Sequence, residues 1–398
     1  MALVPPNTSI NMDSTITISA RGEQRIQGGH FWIYRSDVAS GSASPGEVVR
    51  VVGPRGRFLG QAFFSGRSQI TLRMLTPRDA QIDRPFWRRR IEDAVRFRDR
   101  LKIDATAYRL VHGEGDLIPS LIVDRYGDYL VMQTLSQGAD RLQAEFAEIL
   151  GELLEPKGIL ARNDPRVRLL EGLEQSVDVL AGEIPDRVTV KEGRIEYDVD
   201  LRSGQKTGAF LDQRENRTAA AEYTYGKVLD CFSYAGGFAL QLASRATELT
   251  ALDISEDATA LLARNAARNH LSNVSVRTTN VFDELRALER VGERYDTIVL
   301  DPPAFAKTKD AIPKAEAGYK EFNLRALKLL RPGGFLITCS CSYHVSESGF
   351  AGIILDAALD ARAEVSVVEK RMQSRDHPVV LGMPETYYLK CFVLRKLS

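Results

Sequence analysis

From Arg187 to the end, the chain alternates two patterns. Short apolar runs ("KVLDCFS", "ATELTALDIS", "SVRTTNVF", "YDTIVLDPP" and "GGFLITCSCS") are separated by stretches with helical periodicity, such as "SEDATALLARNAARNHL" and "EAGYKEFNLRALKLL". Apolar runs of this length suit strands covered on both faces. Parallel neighbours need crossover connections, and the periodic stretches supply them. The expectation for residues 187–398 is therefore an α/β fold, a doubly wound parallel sheet. It is preceded by a hairpin, "RVTVKEGRIEYDVDL", turning at Glu192-Gly193.

Two other patterns come first. Residues 14–76 hold short β segments, "TITIS", "GEVVRVVG", "RFLGQAFFS" and "QITLRML", punctuated by glycine and proline as in a small β-barrel. At "DRPFWRRRIEDAVRFRDRLKI", Phe86, Ile91, Val95 and Leu101 recur at helical spacing among arginines. Strand-like segments and a helix from about Ala139 to Leu154 follow. The expected division is 1–80, a β-barrel; 81–186, a mixed α/β domain; and 187–398, the doubly wound domain.

The 398 residues carry 53 Lys+Arg and 53 Asp+Glu. The balance is uneven: residues 1–110 hold 18 basic against 10 acidic side chains, a modest nucleic-acid signal beside the plainer reading of a solvated surface. No run of eighteen apolar residues appears, so no membrane span is expected. The start lacks the basic-then-apolar signature of a secretory signal, and four cysteines make no disulfide framework. A cytoplasmic location is expected.

"VLDCFSYAGGFAL" reads as a buried strand, a glycine turn and a helix start, with Gly236 and Gly237 allowing close backbone approach to a ligand. It is neither GxGxxG nor a P-loop, and a purely structural turn is the alternative. The next strand ends at Asp253, where a carboxylate can accept from two ribose hydroxyls or cap the following helix. The third ends at Asn280, placed to hold an adenine amine, with Val281 beside the ring. This order suits S-adenosylmethionine (SAM). The candidate cofactor contacts are Asp230, Phe232, Tyr234, Gly236, Asp253, Ile254, Asn280, Val281, Asp301 and Pro302.

"IVLDPPAFAKTK" ends a further strand. Two prolines stiffen the backbone and present Asp301 at the sheet's C-terminal edge. Pro303, Phe305 and Lys307 are candidate substrate contacts, with Phe305 offering a stacking face. Two of the four cysteines, Cys339 and Cys341, follow "GGFLIT" and are expected to emerge at the same edge. With only His344 nearby they offer at most three ligands, so no metal is expected. A thiolate near Asp301 is what methylation of cytosine at carbon 5 requires. Addition at carbon 6 makes carbon 5 nucleophilic, and an acid near ring nitrogen 3 stabilises the adduct.

With these motifs in order, the chain resembles the bacterial large-subunit (23S) rRNA 5-methylcytosine methyltransferases that carry a PUA domain. The likeness spans nearly the whole chain. "RIQGGHFWIYRSDV" is similar to the family's PUA opening, "EGDLIPSLIVDRYGDYLV" to its central-domain signature, and "GQKTGAFLDQRENR", "DPPAF" and "CSCS" to its catalytic domain. The resemblance implies a Rossmann-like SAM methyltransferase domain behind a PUA-like barrel and a mixed α/β central domain. It implies SAM as cofactor, with Lys206, Asp212 and Gln213 beside it, and large-subunit rRNA as partner; a homodimer is left open. In related cytosine methyltransferases the nucleophile follows the preceding "GG" at the spacing that separates Gly334 from Cys341, which makes Cys341 the nucleophile and Cys339 the second choice. Lys307 or the sulfonium would favour the thiolate.

Two departures stand out. Asn280 occupies a position where the family often has Asp, and Ala304 follows Pro303 where two-cysteine enzymes carry a second cysteine. A base other than cysteine must then remove the carbon 5 proton. One rival keeps the fold and uses "DPPAF" to hold an exocyclic amine, as an N-methyltransferase of rRNA. Another is a non-catalytic RNA-binding or ribosome-assembly protein.

Overall fold

The computed structural model describes residues 14–305 and 312–398. The chain divides into two compact units: residues 1–188, 199–209 and 376–386 form one, and 189–198, 210–375 and 387–398 the other.

The first unit holds two sheets. The first has six strands in the order Trp32–Tyr34, Ile70–Thr76, Phe58–Phe64, Val48–Val52, Thr15–Ile18, Val38–Ser40. Alternation drives Ile16, Ile18, Val49, Val51, Leu72 and Met74 into its core. The second has five strands, from edge strand Ser176–Gly182 through Gly158–Asn163, Tyr129–Thr134 and Leu121–Tyr126 to Ala107–His112. Helices Arg84–Leu101 and Gln143–Leu154 contribute to its core. The helix expected from Ala139 is broken at Leu142, which ends one short helix and caps the next. A shared core crosses residue 80. Trp87 stacks on Phe63 of the first sheet at 5.5 Å and meets Phe146 edge-on at 5.4 Å. Such aromatic contacts add to the area they bury, which is why the β segment and the α/β segment form one unit. The late segment 376–386 also belongs here: Arg98 donates to the Asp376 carbonyl at 2.8 Å, and the Arg109 N–H to its carboxylate at 2.9 Å.

The second unit is built on seven strands: β1 Lys227–Cys231, β2 Glu248–Asp253, β3 Val274–Thr278, β4 Tyr295–Leu300, β5 Leu330–Ser340, β6 Val365–Arg371 and β7 Lys390–Lys396. Their spatial order is 3-2-1-4-5-7-6. Strands 1 to 5 are parallel, and β7 runs antiparallel between β5 and β6. The helices are α1 Arg214–Glu222, α2 Gly237–Ala243, α3 Glu256–Arg268, α4 Val281–Arg290, α5 Ile312–Leu329 and α6 Glu347–Ala361. The expected doubly wound sheet is present. Chain order reverses between β1 and β4, so a crevice opens outside their carboxyl ends. The hairpin Val188–Glu192 and Ile195–Val199 is also as expected.

A buried ion pair ties that hairpin to α1. Arg217 Nη1 donates to Glu192 Oε2 at 2.9 Å, and both side chains are almost fully buried. Arg217 Nη2 also donates to the Phe210 carbonyl at 2.7 Å. Removing one partner strands the other charge without water. Glu192→Ala should therefore lower unfolding free energy by about 3 to 5 kcal/mol, read from urea denaturation. A loss below about 1 kcal/mol is what a solvated pair would give.

Candidate active site

The ends of β1, β2, β4 and β5 bring most of the singled-out residues to one edge. After β1 the chain turns sharply: Phe232 and Tyr234 adopt left-handed φ angles of 65° and 48°, and Gly236 has φ 96°. Side chains other than glycine hold such angles only where the surroundings enforce them. Here the Ser233 N–H donates to the Leu252 carbonyl, and the Tyr234 N–H donates to Asp253 Oδ2 at 2.8 Å. The two glycines have reasons inside the fold. A Cβ on Gly236 would sit 2.9 Å from Leu262, and one on Gly237 2.6 Å from the Arg217 guanidinium.

Asp230 closes β1 just before this turn. It is buried; Oδ2 accepts from the Ala239 N–H at 3.0 Å, and Oδ1 has no partner among the described residues. Burial, reinforced by the charges of Asp301 and Asp253, pushes its carboxyl up to about 7. A buried acceptor facing the switch-point crevice fits a cationic group there. Asp253 also accepts from the Ser255 N–H at 3.0 Å, while Ser255 itself caps α3. Ile254 is 68% exposed and offers an open apolar face beside Asp253. These features suit an amino acid joined to a nucleoside.

The third strand departs from expectation. Asn280 Oδ1 accepts from the Phe282 and Asp283 N–H groups and caps α4. The oxygen expected to hold an adenine amine is already engaged in helix capping. Val281 is turned into the core with Leu285 and Leu288.

Past β4, Asp301 Oδ1 accepts from Gln213 Nε2 at 2.8 Å, and Gln213 Oε1 in turn accepts from Asn216 at 2.6 Å. Asp212 is buried and accepts from the Tyr388 hydroxyl at 2.8 Å. Gln213 is thus brought to Asp301, and Asp212 to the segment just before β7. Lys206 lies in the other unit, with φ 55°. Pro302 is buried and Pro303 exposed. One face of Phe305 is already stacked on Phe322, 5.8 Å away at 14°, and Tyr319 meets it edge-on. Lys307 lies outside the described residues.

The two cysteines separate. β5 ends at Ser340, so Cys339 does not emerge at the edge as expected. It is fully buried in the core, opposite Cys391 of β7, and burial pushes its thiol well up. Cys341 lies just past the strand and is partly exposed, with Sγ 3.8 Å from the Pro302 carbonyl. The edge thus has one accessible thiol, beside the Asp301-Pro302 backbone. Sequence reasoning missed what holds this loop. Tyr319 hydroxyl and Ser342 Oγ share a hydrogen bond at 2.9 Å, and Lys390 donates to the Ser342 carbonyl at 2.7 Å. The available signal was a lysine inside the apolar run "LKCFVL".

The raised Asp230 carboxyl makes a testable demand on stability. Its folded pKa lies above the unfolded value, so the folded state holds the extra proton between about pH 4 and 7 and stability falls as pH rises through that window. At about 1.4 kcal/mol per pH unit the ceiling is about 4 kcal/mol. Without bound cofactor, Asp230→Asn should be more stable than wild type at pH 8 by about 1 to 4 kcal/mol, with the gap closing near pH 4. Urea unfolding at both pH values reads this; a gap independent of pH would contradict it.

Comparison with known proteins accords with this geometry. A PUA-like domain model matches residues 16–77, and an S-adenosylmethionine-dependent methyltransferase model matches residues 108–380. The "Ribosomal RNA large subunit methyltransferase I" of Tolumonas auensis is 40% identical, covering 97% of this chain and all of that protein. That of Aeromonas hydrophila subsp. hydrophila is 39% identical, covering 96% and 100%. A solved structure from Streptococcus mutans, named as a SAM-dependent methyltransferase, superposes with a TM-score of 0.83 at 22% identity, over 96% of this chain and 100% of that one. A second, titled as a methyltransferase complexed with SAH, gives 0.84 at 22%, with the same coverage, so both share the fold. The chain belongs to the S-adenosylmethionine-dependent methyltransferases, in the family of the ribosomal RNA large subunit methyltransferases I.

Proposed function

We propose that this protein methylates carbon 5 of a cytosine in large-subunit rRNA, with Cys341 as nucleophile. The observation that carries the reading is the placement of one accessible thiol at the carbonyl of Pro302, the residue after Asp301, while Cys339 is sealed in the core. Relatives named for large-subunit rRNA, matched over their full length, support the substrate class. The PUA-like segment, within an N-terminal part rich in arginine, suits gripping RNA phosphates and shape. The three-part division at about residues 80 and 186 stays part of this proposal, as does unstacking of the target base into the crevice.

SAM supplies the methyl group as an electrophile on sulfur. Asp230 and the turn of Phe232, Tyr234 and Gly236 would face its amino-acid end. Asp253 would accept from the ribose hydroxyls, and Ile254 would cover the base. Asn280 would contribute what its cap leaves over, and Asp212 would border the site. Cys341 loses its proton and adds to carbon 6 of cytosine, and the ring's electron pair moves to carbon 5. Asp301, oriented by Gln213, would enter this step protonated, give its proton to ring nitrogen 3 as negative charge develops there, and take it back as carbon 5 attacks. Carbon 5 takes the methyl group. A base then removes its proton, and the carbon–sulfur bond breaks to return the thiolate. Pro302 and Pro303 would keep this wall rigid, with Phe305 and Lys307 on the substrate side.

RNA carrying 5-fluorocytosine at the target should trap the adduct, because fluorine blocks the last elimination. Wild type and Cys339→Ala should form it and Cys341→Ala should not. Adduct with Cys341→Ala would refute the assignment, and methylation unaffected by either change would favour an N-methyltransferase. Separately, Asp253→Ala should weaken SAM binding by about 1 to 3 kcal/mol in calorimetry. Unchanged affinity would remove Asp253 from the site.

A further inference from the structure

Lys390 is not used by the scheme above, and its surroundings are unusual for a lysine. It lies on β7 opposite Ser340, the last residue of β5, and is 1% exposed. Its ammonium donates to two carbonyls, Ser342 at 2.7 Å and Tyr388 at 3.0 Å. None of the ion pairs among the described residues includes it. The nearby carboxylate, Glu347 of α6, is held by Lys370 at 2.9 Å and by the Tyr387 hydroxyl at 2.8 Å. A buried ammonium without an anion is costly, and proteins retain one where an anion forms or binds. The bond of Lys390 to the Ser342 carbonyl places it one residue along from Cys341, whose charge, and then that of Glu347, opposes the lowering by burial. Burial lowers Lys390 to about 8, so the charged form still predominates at neutral pH.

We propose that Lys390 is a positioning residue, the buried counter-ion that holds Cys341 as a thiolate and fixes its loop through the Ser342 carbonyl. The loop is pinned from both sides, by Lys390 on β7 and by Tyr319 on α5. The thiol proton goes to water before the base arrives, and Lys390 keeps its own. Among the charged groups around it, Asp301 opposes the thiolate, and Lys370, over the Phe392 ring at 5.2 Å, is committed to Glu347. The proposal deepens the carbon 5 reading and rests on Cys341 being its nucleophile.

The test needs neither RNA nor SAM. Full-length protein is alkylated with iodoacetamide across a pH series, and modification of the Cys341 peptide is followed by mass spectrometry; Cys231, Cys339 and Cys391 are buried and should stay silent. The wild-type midpoint should fall below the free-thiol value of about 8.5. Lys390→Met should raise it by about one to three pH units, as loss of a neighbouring opposite charge does. A wild-type midpoint at or above about 8.5 overturns the proposal even if the variant fails to fold. So does a folded Lys390→Met protein with the wild-type midpoint. If the midpoint shifts but no 5-fluorocytosine adduct forms, Lys390 stands as counter-ion and the carbon 5 reading falls.

Discussion

The parallel pairing of β1 with β4 is the constraint on which the rest of the site depends. Its register sets Asp230 against Val299 and Cys231 against Leu300, so both chains leave the sheet side by side. Because the strand order reverses at this pair, no helix crosses over the gap between their ends. The glycine turn and the Asp301-Pro302 exit follow from that register, and the pairing of β1 with β2, Cys231 beside Leu252, adds the Asp253 tip. β5, paired to β4 with Leu300 beside Thr338, brings Cys341 to the same edge. A slip of one residue in either pairing would turn these side chains to the opposite faces.

Charge is distributed around this edge in a way that matches a cationic methyl donor and an anionic nucleophile. Asp230, Asp253 and Asp301 repel one another enough to help raise the Asp230 carboxyl. A sulfonium with an ammonium group, bound there as proposed, would relieve that repulsion. Two buried cations lie near this edge, Arg217 against Gly237 and Lys390 at the Ser342 carbonyl. Against burial, which lowers it, Arg217 is raised by Glu192 and Tyr197 and then by Asp301 and Asp212, so it stays charged beside the Gly236-Gly237 turn. Lys390 faces the thiol loop instead. In the proposed scheme, carboxylates toward the donor and an ammonium near the thiol would separate the two polarities that methyl transfer brings together.

The strand ends were legible in the sequence because each apolar run stops at a polar residue: Asp253, Asp301 and then the cysteines. That signal places residues at an edge but cannot say where a strand stops. Cys339 and Cys341 look equivalent by alternation, and only the end of β5 at Ser340 separates a core thiol from an accessible one. Asn280 shows a second limit. A side chain just past a strand end is also the N-cap of the next helix, and its oxygen is engaged by two N–H groups there. Partners distant in sequence stayed invisible. Nothing local announces that Arg217 meets Glu192, that residues 376–386 return to the first unit, or that Lys390 faces Ser342. Long-range pairings of buried charge depend on packing, and periodicity does not encode them.

The central claim is that carbon 5 of cytosine receives the methyl group. The direct measurement is to incubate the protein with unmodified large-subunit rRNA and SAM bearing a trideuterated methyl group, digest the RNA to nucleosides, and identify the labelled product by chromatography with mass spectrometry. The account predicts a single labelled nucleoside that co-elutes with 5-methylcytidine. Label in an N-methylated adenosine or guanosine, with none in 5-methylcytidine, would contradict it.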